Sequence, residues 1–184
     1  MFMSLIRKRR SIRRYLEKDI DPEKISMLIE AALRASSSKD LQPWEFIVVT
    51  DRDSLDKLSR AKPQGSAFLR NAPLGIVVCV DQDRSDTWIE DSSIASIFIQ
   101  LAAESLGLGN CWIQIRDRMH DGTKTSEQYI SELLGIPKKM RVEAIIAIGY
   151  PDAKKQPRSK NVLLYDKVYL QRHGNPYGSP LDEG

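Results

Sequence analysis

Gly107-Leu108-Gly109-Asn110-Cys111-Trp112 is the stretch on which the fold turns. Two glycines one residue apart invite a dinucleotide-binding fingerprint, but that motif needs a strand before it, a third glycine at position 112 and a helix after it. Here position 112 is Trp. The residues before it, from about Asp91 to Leu106, carry Ile94, Ile97, Phe98, Leu101 and Ala102 on one helical stripe, and those after it, Cys111 to Ile115, read as a strand. A helix therefore stops at Gly107 and a strand begins, which reverses the order of the fingerprint and excludes a regular dinucleotide-binding fold.

Working outward, Asp21-Pro22-Glu23 opens a helix, with Asp placed to cap the free backbone N–H groups and Pro at the first helical position. Ile25, Leu28, Ile29, Ala32 and Leu33 give it one apolar face, and it stops in Ser36-Ser37-Ser38. Phe46 to Val49 is a short β-branched run and reads as a strand, with Trp44 and Phe46 assigned to the core. Asp51 begins a short helix carrying Leu55 and Leu58, and Asn71-Ala72-Pro73 breaks the chain. Leu74 to Val80 is too continuously apolar to have a solvated face. Downstream come a polar loop from Arg116 to Thr125, a helix with Ile130, Leu133 and Leu134 that ends at Gly135 and Pro137, and a strand from Val142 to Ile148. The connections are unequal, so the expected fold class is α+β, a mixed central sheet flanked by helices.

With 184 residues and 20.9 kDa the chain is expected to form one domain. Its 41% hydrophobic and 29% charged residues are ordinary for a globular protein. Only Leu5 and Ile6 interrupt a short basic start, so no secretory signal is expected, and no run approaches the ~20 apolar residues of a membrane span. Cytoplasmic residence is the expectation. Cys79 and Cys111 both lie in apolar runs and are expected to be buried thiols, with no disulfide.

Six of the eight residues from Arg7 to Arg14 are basic, and a hydroxyl, Ser11, sits inside the run. This pattern suggests a phosphate holder. A nucleic-acid surface would need further basic stripes, because affinity for a phosphate backbone is built from many Lys and Arg contacts. Instead there are 28 Lys+Arg against 25 Asp+Glu, a net charge of +3, and Glu17, Asp19, Asp21 and Glu23 follow almost at once. A local anion site fits better than a nucleic-acid partner. His120 and His173 stand alone, so no metal site is expected, and no nucleophile motif is present. An enzyme built on this chain would borrow its chemistry from a cofactor.

Four segments, in order and in spacing, resemble the FMN-dependent nitroreductase family: Arg9-Arg10-Ser11-Ile12-Arg13 with Tyr15; Ala31-Ala32 leading to Ser37-Ser38-Lys39-Asp40-Leu41-Gln42-Pro43-Trp44; Ala102 to Trp112; and Ile146 to Pro151. The resemblance covers about residues 4 to 160. It implies an α+β homodimer with FMN at the subunit interface, reduced by NADH or NADPH and reoxidised in a ping-pong cycle by nitroaromatics, quinones or similar small-molecule acceptors. It implies that Arg9, Arg158 and Lys160 grip the FMN phosphate, that Arg10 and Ser11 border the ribityl chain, and that Arg13 faces the flavin N1/O2 edge as an electrostatic stabiliser. Ser37, Ser38, Asp40 and Gln42 would serve the partner's FMN, and Trp112, Ile113 and Gln114 would run beside the ring with a backbone N–H aimed at N5. The chain departs from the family pattern at Ser36, Lys39 and Asp40, which replace Pro, Gly and Asn; a carboxylate at 40 cannot donate the hydrogen bond of an amide. Residues 1–160 are expected to form the FMN-binding domain, and 161–184 an extension packing on the partner. The lid over the substrate is expected from Arg116 to Thr125 or from the partner's tail. Two other readings stand beside this one: a flavin enzyme of the same fold with a dedicated substrate (dehydrogenation, dehalogenation or flavin fragmentation), and a non-enzymatic anion-binding module using Arg7–Arg14.

Overall fold

The computed structural model describes residues 2–178. The last six residues of the expected extension, 179–184, lie outside the described residues. In chain order the elements are α1 (Phe2–Lys8), α2 (Pro22–Leu33), β1 (Trp44–Val49), α3 (Arg52–Ser59), β2 (Leu74–Asp81), α4 (Trp88–Ser105), β3 (Gly109–Gln114), α5 (Ser126–Leu134) and β4 (Met140–Gly149). The fold is α+β, as expected. The four strands are ordered β1-β2-β4-β3, every neighbouring pair antiparallel. The sheet is thus antiparallel, not the mixed sheet expected; among the described residues a single isolated parallel bridge, Ser11 to Asn110, stands apart from its ladders and lays the N-terminal segment along the outer edge of β3.

Both faces of the sheet are covered, which is why Leu74 to Val80 lacks alternation. Val77, Ile113 and Ile145 pack with Leu55, Leu58 and Ile130 of α3 and α5 on one face. Ile76, Val78, Ile146 and Ile148 pack with Leu28 and Ala32 of α2 and Ile99 and Ala103 of α4 on the other. Successive strand residues thus serve opposite cores. Trp44 is buried and Phe46 partly so, as expected of core residues. Both thiols are buried and free, and burial pushes Cys79 up to about 12.

Two helix readings need correction. Asp21 makes no capping bond to α2; its carboxylate accepts from the Tyr150 hydroxyl at 3.1 Å, so the residue ties α2 to the end of β4. In α4 the buried residues are Asp91, Ser92, Ala95, Ser96, Ile99, Gln100 and Ala103, while Ile97 and Phe98 of the expected core stripe are exposed. The physical reason is that the buried face of α4 itself carries Asp91, Ser92, Ser96 and Gln100, so apolar periodicity does not mark it. Ala95, Ser96 and Ala103 let the helix approach the sheet closely, and Ile97 and Phe98 are left outward.

Two glycines place the N-terminal segment. Gly109 and Gly149 are paired across β3 and β4. A Cβ on Gly109 would lie 2.9 Å from Ile12, and one on Gly149 would lie 2.6 Å from the Pro73 ring and 2.8 Å from the Tyr15 ring. Ile12 and Tyr15 therefore lie directly on backbone. The buried Tyr15 hydroxyl donates to the carbonyls of Ile12 (2.7 Å) and Ala147 (3.2 Å), and burial raises its pKa.

The polar loop after β3 is built rather than loose. Asp121 accepts from the backbone N–H groups of Thr123 and Lys124, both at 2.8 Å, and from the Thr123 hydroxyl at 2.9 Å. These bonds hold its pKa down to about 2. Because the folded value is depressed, the stabilisation is present above the ordinary carboxylate range and is lost as pH falls toward about 2. Protection of the Thr123 and Lys124 amides, followed by NMR, is expected to persist at about pH 3, below the ordinary carboxylate pKa. Loss of that protection already above the ordinary carboxylate range would show that Asp121 does not hold the turn. The loop ends in a capping box, Thr125 with Gln128, and α5 stops at Gly135, whose φ of 68° is the left-handed conformation a helix stop favours.

Candidate functional site

Beyond the Ser11–Asn110 bridge, β3 has no strand neighbour on its outer side among the described residues. Asn110 turns its carbonyl outward to accept from the Ile12 N–H (2.9 Å), and Gln114 turns its carbonyl outward to accept from the Lys62 ammonium (3.0 Å). By the two-residue period of a strand, Trp112 faces the same way. The outward backbone N–H groups of Trp112 and Gln114 are therefore presented to whatever lies against this edge. The Ile113 side chain points into the core, so only its backbone belongs to the site. Trp112 Nε1 donates to Gln114 Oε1 at 2.9 Å, and Gln114 Nε2 donates to the Arg116 carbonyl at 3.1 Å, which fixes both side chains.

The N-terminal cations gather at the other end of this edge. Arg9 begins the extended segment where α1 ends, its N–H bonded to the Leu5 carbonyl. Arg10 donates to the Gln156 carbonyl, and the Ser11 carbonyl accepts from the Lys155 ammonium at 2.8 Å. Arg13 is exposed, with its guanidinium 5.7 Å from the centre of the Phe68 ring. The buried Cys111 thiol reports on the cluster: burial raises its pKa, and Arg13, the Ser11 hydroxyl, Lys155 and Arg9 all oppose that rise. Four groups from two distant parts of the chain thus converge on the first half of β3, at Asn110 and Cys111. Among the described residues Arg9, Arg10, Arg13 and Lys155 enter no ion pair, whereas the adjacent Arg14 pairs with Asp152 at 3.5 Å. A cleft of about 400 Å³ opens beside them, lined by Lys8, Arg10, Leu108, Gly109, Lys154 and Lys155 among others, with one carboxyl, Glu104, on its wall, acted on by Lys8 and Arg9. Unpaired cations, a hydroxyl and an open strand edge are the donor set that a phosphate joined to a flat polar ring requires.

The other sequence-predicted residues are placed as follows. Ser37 Oγ accepts from the Gln42 N–H at 3.0 Å, the Ser38 N–H donates to the buried Asp91 at 2.9 Å, and Gln42 Nε2 donates to Asp40 Oδ1 at 2.9 Å. Lys39, Asp40 and Gln42 all have positive φ, at 51°, 55° and 45°, a run of backbone strain that Asp91 and Ser37 hold in place. Within one chain no hydrogen bond or ion pair among the described residues joins this loop to Arg9–Arg13. Arg158 and Lys160 are exposed and, among the described residues, make no side-chain hydrogen bond or ion pair with that segment; the tail residues bonded to it are Lys155 and Gln156. Lys155, Lys62 and Phe68 were missed by sequence reading. Lys155 and Lys62 are single lysines in polar stretches, with no local pattern to mark them.

The model of the nitroreductase family matches residues 6–65 and 58–150. An FMN-dependent nitroreductase from Clostridium difficile R20291 shares 47% identity and superposes with a TM-score of 0.91, over 92% of this chain and 99% of that one. A protein of Archaeoglobus fulgidus provisionally named NADH dehydrogenase/NAD(P)H nitroreductase is 40% identical over 157 residues, 83% of this chain and 87% of its own. The NADPH:FMN oxidoreductase of Vibrio harveyi, solved with NAD+, has a TM-score of 0.77 at 27% identity, over 99% of this chain and 80% of that one.

Proposed function

The chain belongs to the nitroreductase family, and from that premise we propose that it is an FMN-dependent NAD(P)H oxidoreductase acting on nitroaromatic, quinone or similar small acceptors. The observation that carries the proposal is the convergence of Arg9, Ser11, Arg13 and Lys155, the three cations not ion-paired among the described residues, on the open edge of β3. Bound FMN supplies the transfer of two electrons from a nicotinamide to an acceptor in alternating half-reactions.

The residues of this chain bind and bias that cofactor. Arg9 and Lys155, with Arg158 and Lys160 from the tail, hold the phosphate through charge-assisted bonds, and Arg10 and Ser11 border the ribityl chain. Arg13 holds a positive charge at the N1/O2 edge, where reduction places negative charge, and does so without reorganising at the moment of transfer. The outward N–H of Gln114 donates toward N5, with Trp112 and Ile113 completing the strand beside the ring. No helix among the described residues is long and apolar enough to cross a membrane.

The site is completed by a second copy of the chain. The loop of Ser37, Ser38, Asp40 and Gln42 reaches the partner's FMN. The outward Ile97 and Phe98 of α4 and the exposed Leu163, Leu164 and Leu170 of the extension supply apolar surface for the interface. Residues 1–160 act as the FMN-binding domain, and the extension packs on the partner.

Purified protein is expected to carry FMN, identified by chromatography after denaturation, and its yellow colour is expected to bleach on anaerobic addition of NADH or NADPH. Recovery of FAD, or of no flavin after reconstitution, would overturn the reading.

A further inference from the structure

Lys62 lies in the turn after α3, and its ammonium donates to the Gln114 carbonyl at 3.0 Å. It is half-buried, and no carboxylate pairs with it among the described residues. Burial lowers its pKa, and so does a second cation, Arg118. The nearby carboxylates are engaged elsewhere: Asp117 and Glu143 with Arg116, and Asp121 with its own turn and His120. Gly65, at φ 81°, lets the turn fold back so that a Cβ there would lie 3.6 Å from the Lys62 ammonium. The chain thus holds an unneutralised, partly desolvated charge at a fixed place, where a surface lysine would ordinarily be solvated or paired.

Its place in the site is decided by β3. The Arg9–Ser11 and Lys155 cluster sits at Asn110, and Lys62 sits at Gln114, four residues on, or roughly 13 Å along a strand. If the first cluster holds the FMN phosphate, the second lies at the ring end, between the turn that follows α3 and the loop from Arg116 to Thr125, which meet where a ring nitrogen of His120 lies 3.3 Å from the Ala61 carbonyl. That separation leaves Lys62 and Arg118 free of the phosphate and beside the space where an acceptor meets the ring.

We propose that Lys62 and Arg118 form a cationic mouth that selects acceptors bearing a negative charge, aromatic carboxylates above all, over neutral acceptors of the same shape. Lys62 is the inner contact, with two N–H donors left after the bond to Gln114, and Arg118 is the outer one. The inference rests on the FMN reading above, and its test separates the two. Holoenzyme is titrated with benzoate and with benzamide, and binding is followed by the perturbation of flavin absorbance, without turnover. Wild type is expected to bind benzoate about tenfold more tightly than benzamide, the ratio of one charge-assisted contact. Lys62→Met is expected to abolish that preference, Lys62→Arg to restore most of it, and Arg118→Met, at an exposed position, to reduce it with FMN content unchanged. Equal binding of the two probes by wild type, or a preference that survives both methionine variants, would overturn the proposal while leaving the flavin assignment intact. Protein that holds no FMN would instead overturn the reading on which it rests.

Discussion

Replacing Arg116 by Met is expected to lower the unfolding free energy by about 3–5 kcal/mol, the cost of leaving a buried charge without its partner. Arg116 Nε donates to Glu143 Oε2 at 2.7 Å, and the side chain of Glu143, in the middle of the sheet on β4, is only 3% exposed. The Glu143 carbonyl also accepts from the Ile115 and Arg116 N–H groups, so the pair sits where β3 gives way to the polar loop. The check is urea denaturation of wild type, Arg116→Met and the double variant Arg116→Met/Glu143→Leu. The double variant is expected to recover much of the loss, because removing both charges removes the desolvated carboxylate along with its partner. A single variant within about 1 kcal/mol of wild type, the range of an exposed pair, would mean that the pair is effectively solvated.

Replacing Arg9 by Ala is expected to weaken FMN binding about 10- to 150-fold, equivalent to a lost charge-assisted bond of roughly 1.5–3 kcal/mol. Arg9 contributes to the positive field at Cys111 and enters no ion pair among the described residues; with Lys8 it also opposes the burial that raises the pKa of Glu104, a carboxyl that keeps Lys8 when Arg9 is removed. The effect should be the same for both oxidation states of the flavin, since the phosphate does not change charge on reduction. Arg13→Ala should instead make the flavin harder to reduce, because the contact it loses is strongest in the charged product. The measurements are the Kd for FMN and the midpoint potential with the site saturated. If Arg9→Ala shifts the potential and Arg13→Ala leaves it unchanged, the two roles are exchanged and the placement of the N-terminal segment against the ring is wrong.

Much of this was legible in the chain. The order of elements followed from turn signals and short β-branched runs, and the rejection of a dinucleotide fold followed from a helix before Gly107 and a strand after it. The observed bounds, α4 at Trp88–Ser105 and β3 at Gly109–Gln114, agree. Where neighbours are not local in sequence, reading failed. Asp21 has the residue type and position of a cap, but Tyr150 competes for its carboxylate from 129 residues away. The apolar face expected of α2 includes Leu33, which is exposed, because one residue past Ala32 the helix has turned about 100° away from the face that Leu28 and Ala32 bury. Lys62 reaches Gln114 across 52 residues and Lys155 reaches Ser11 across 144; nothing in the segments around them distinguishes these lysines from solvated ones.

The paired Gly109 and Gly149 have a bearing on how this protein could be recombined. The contact surface of Ile12 and Tyr15 is bare backbone contributed by two strands far downstream, so the first twenty residues and the end of the sheet form a lock and key written in separate parts of the chain. A chimera that grafts another N-terminal segment onto this sheet inherits a keyhole cut for Ile12 and Tyr15. One that grafts another β3 and β4 beneath this segment must bring two glycines with it, or the cations will be carried off the strand they serve.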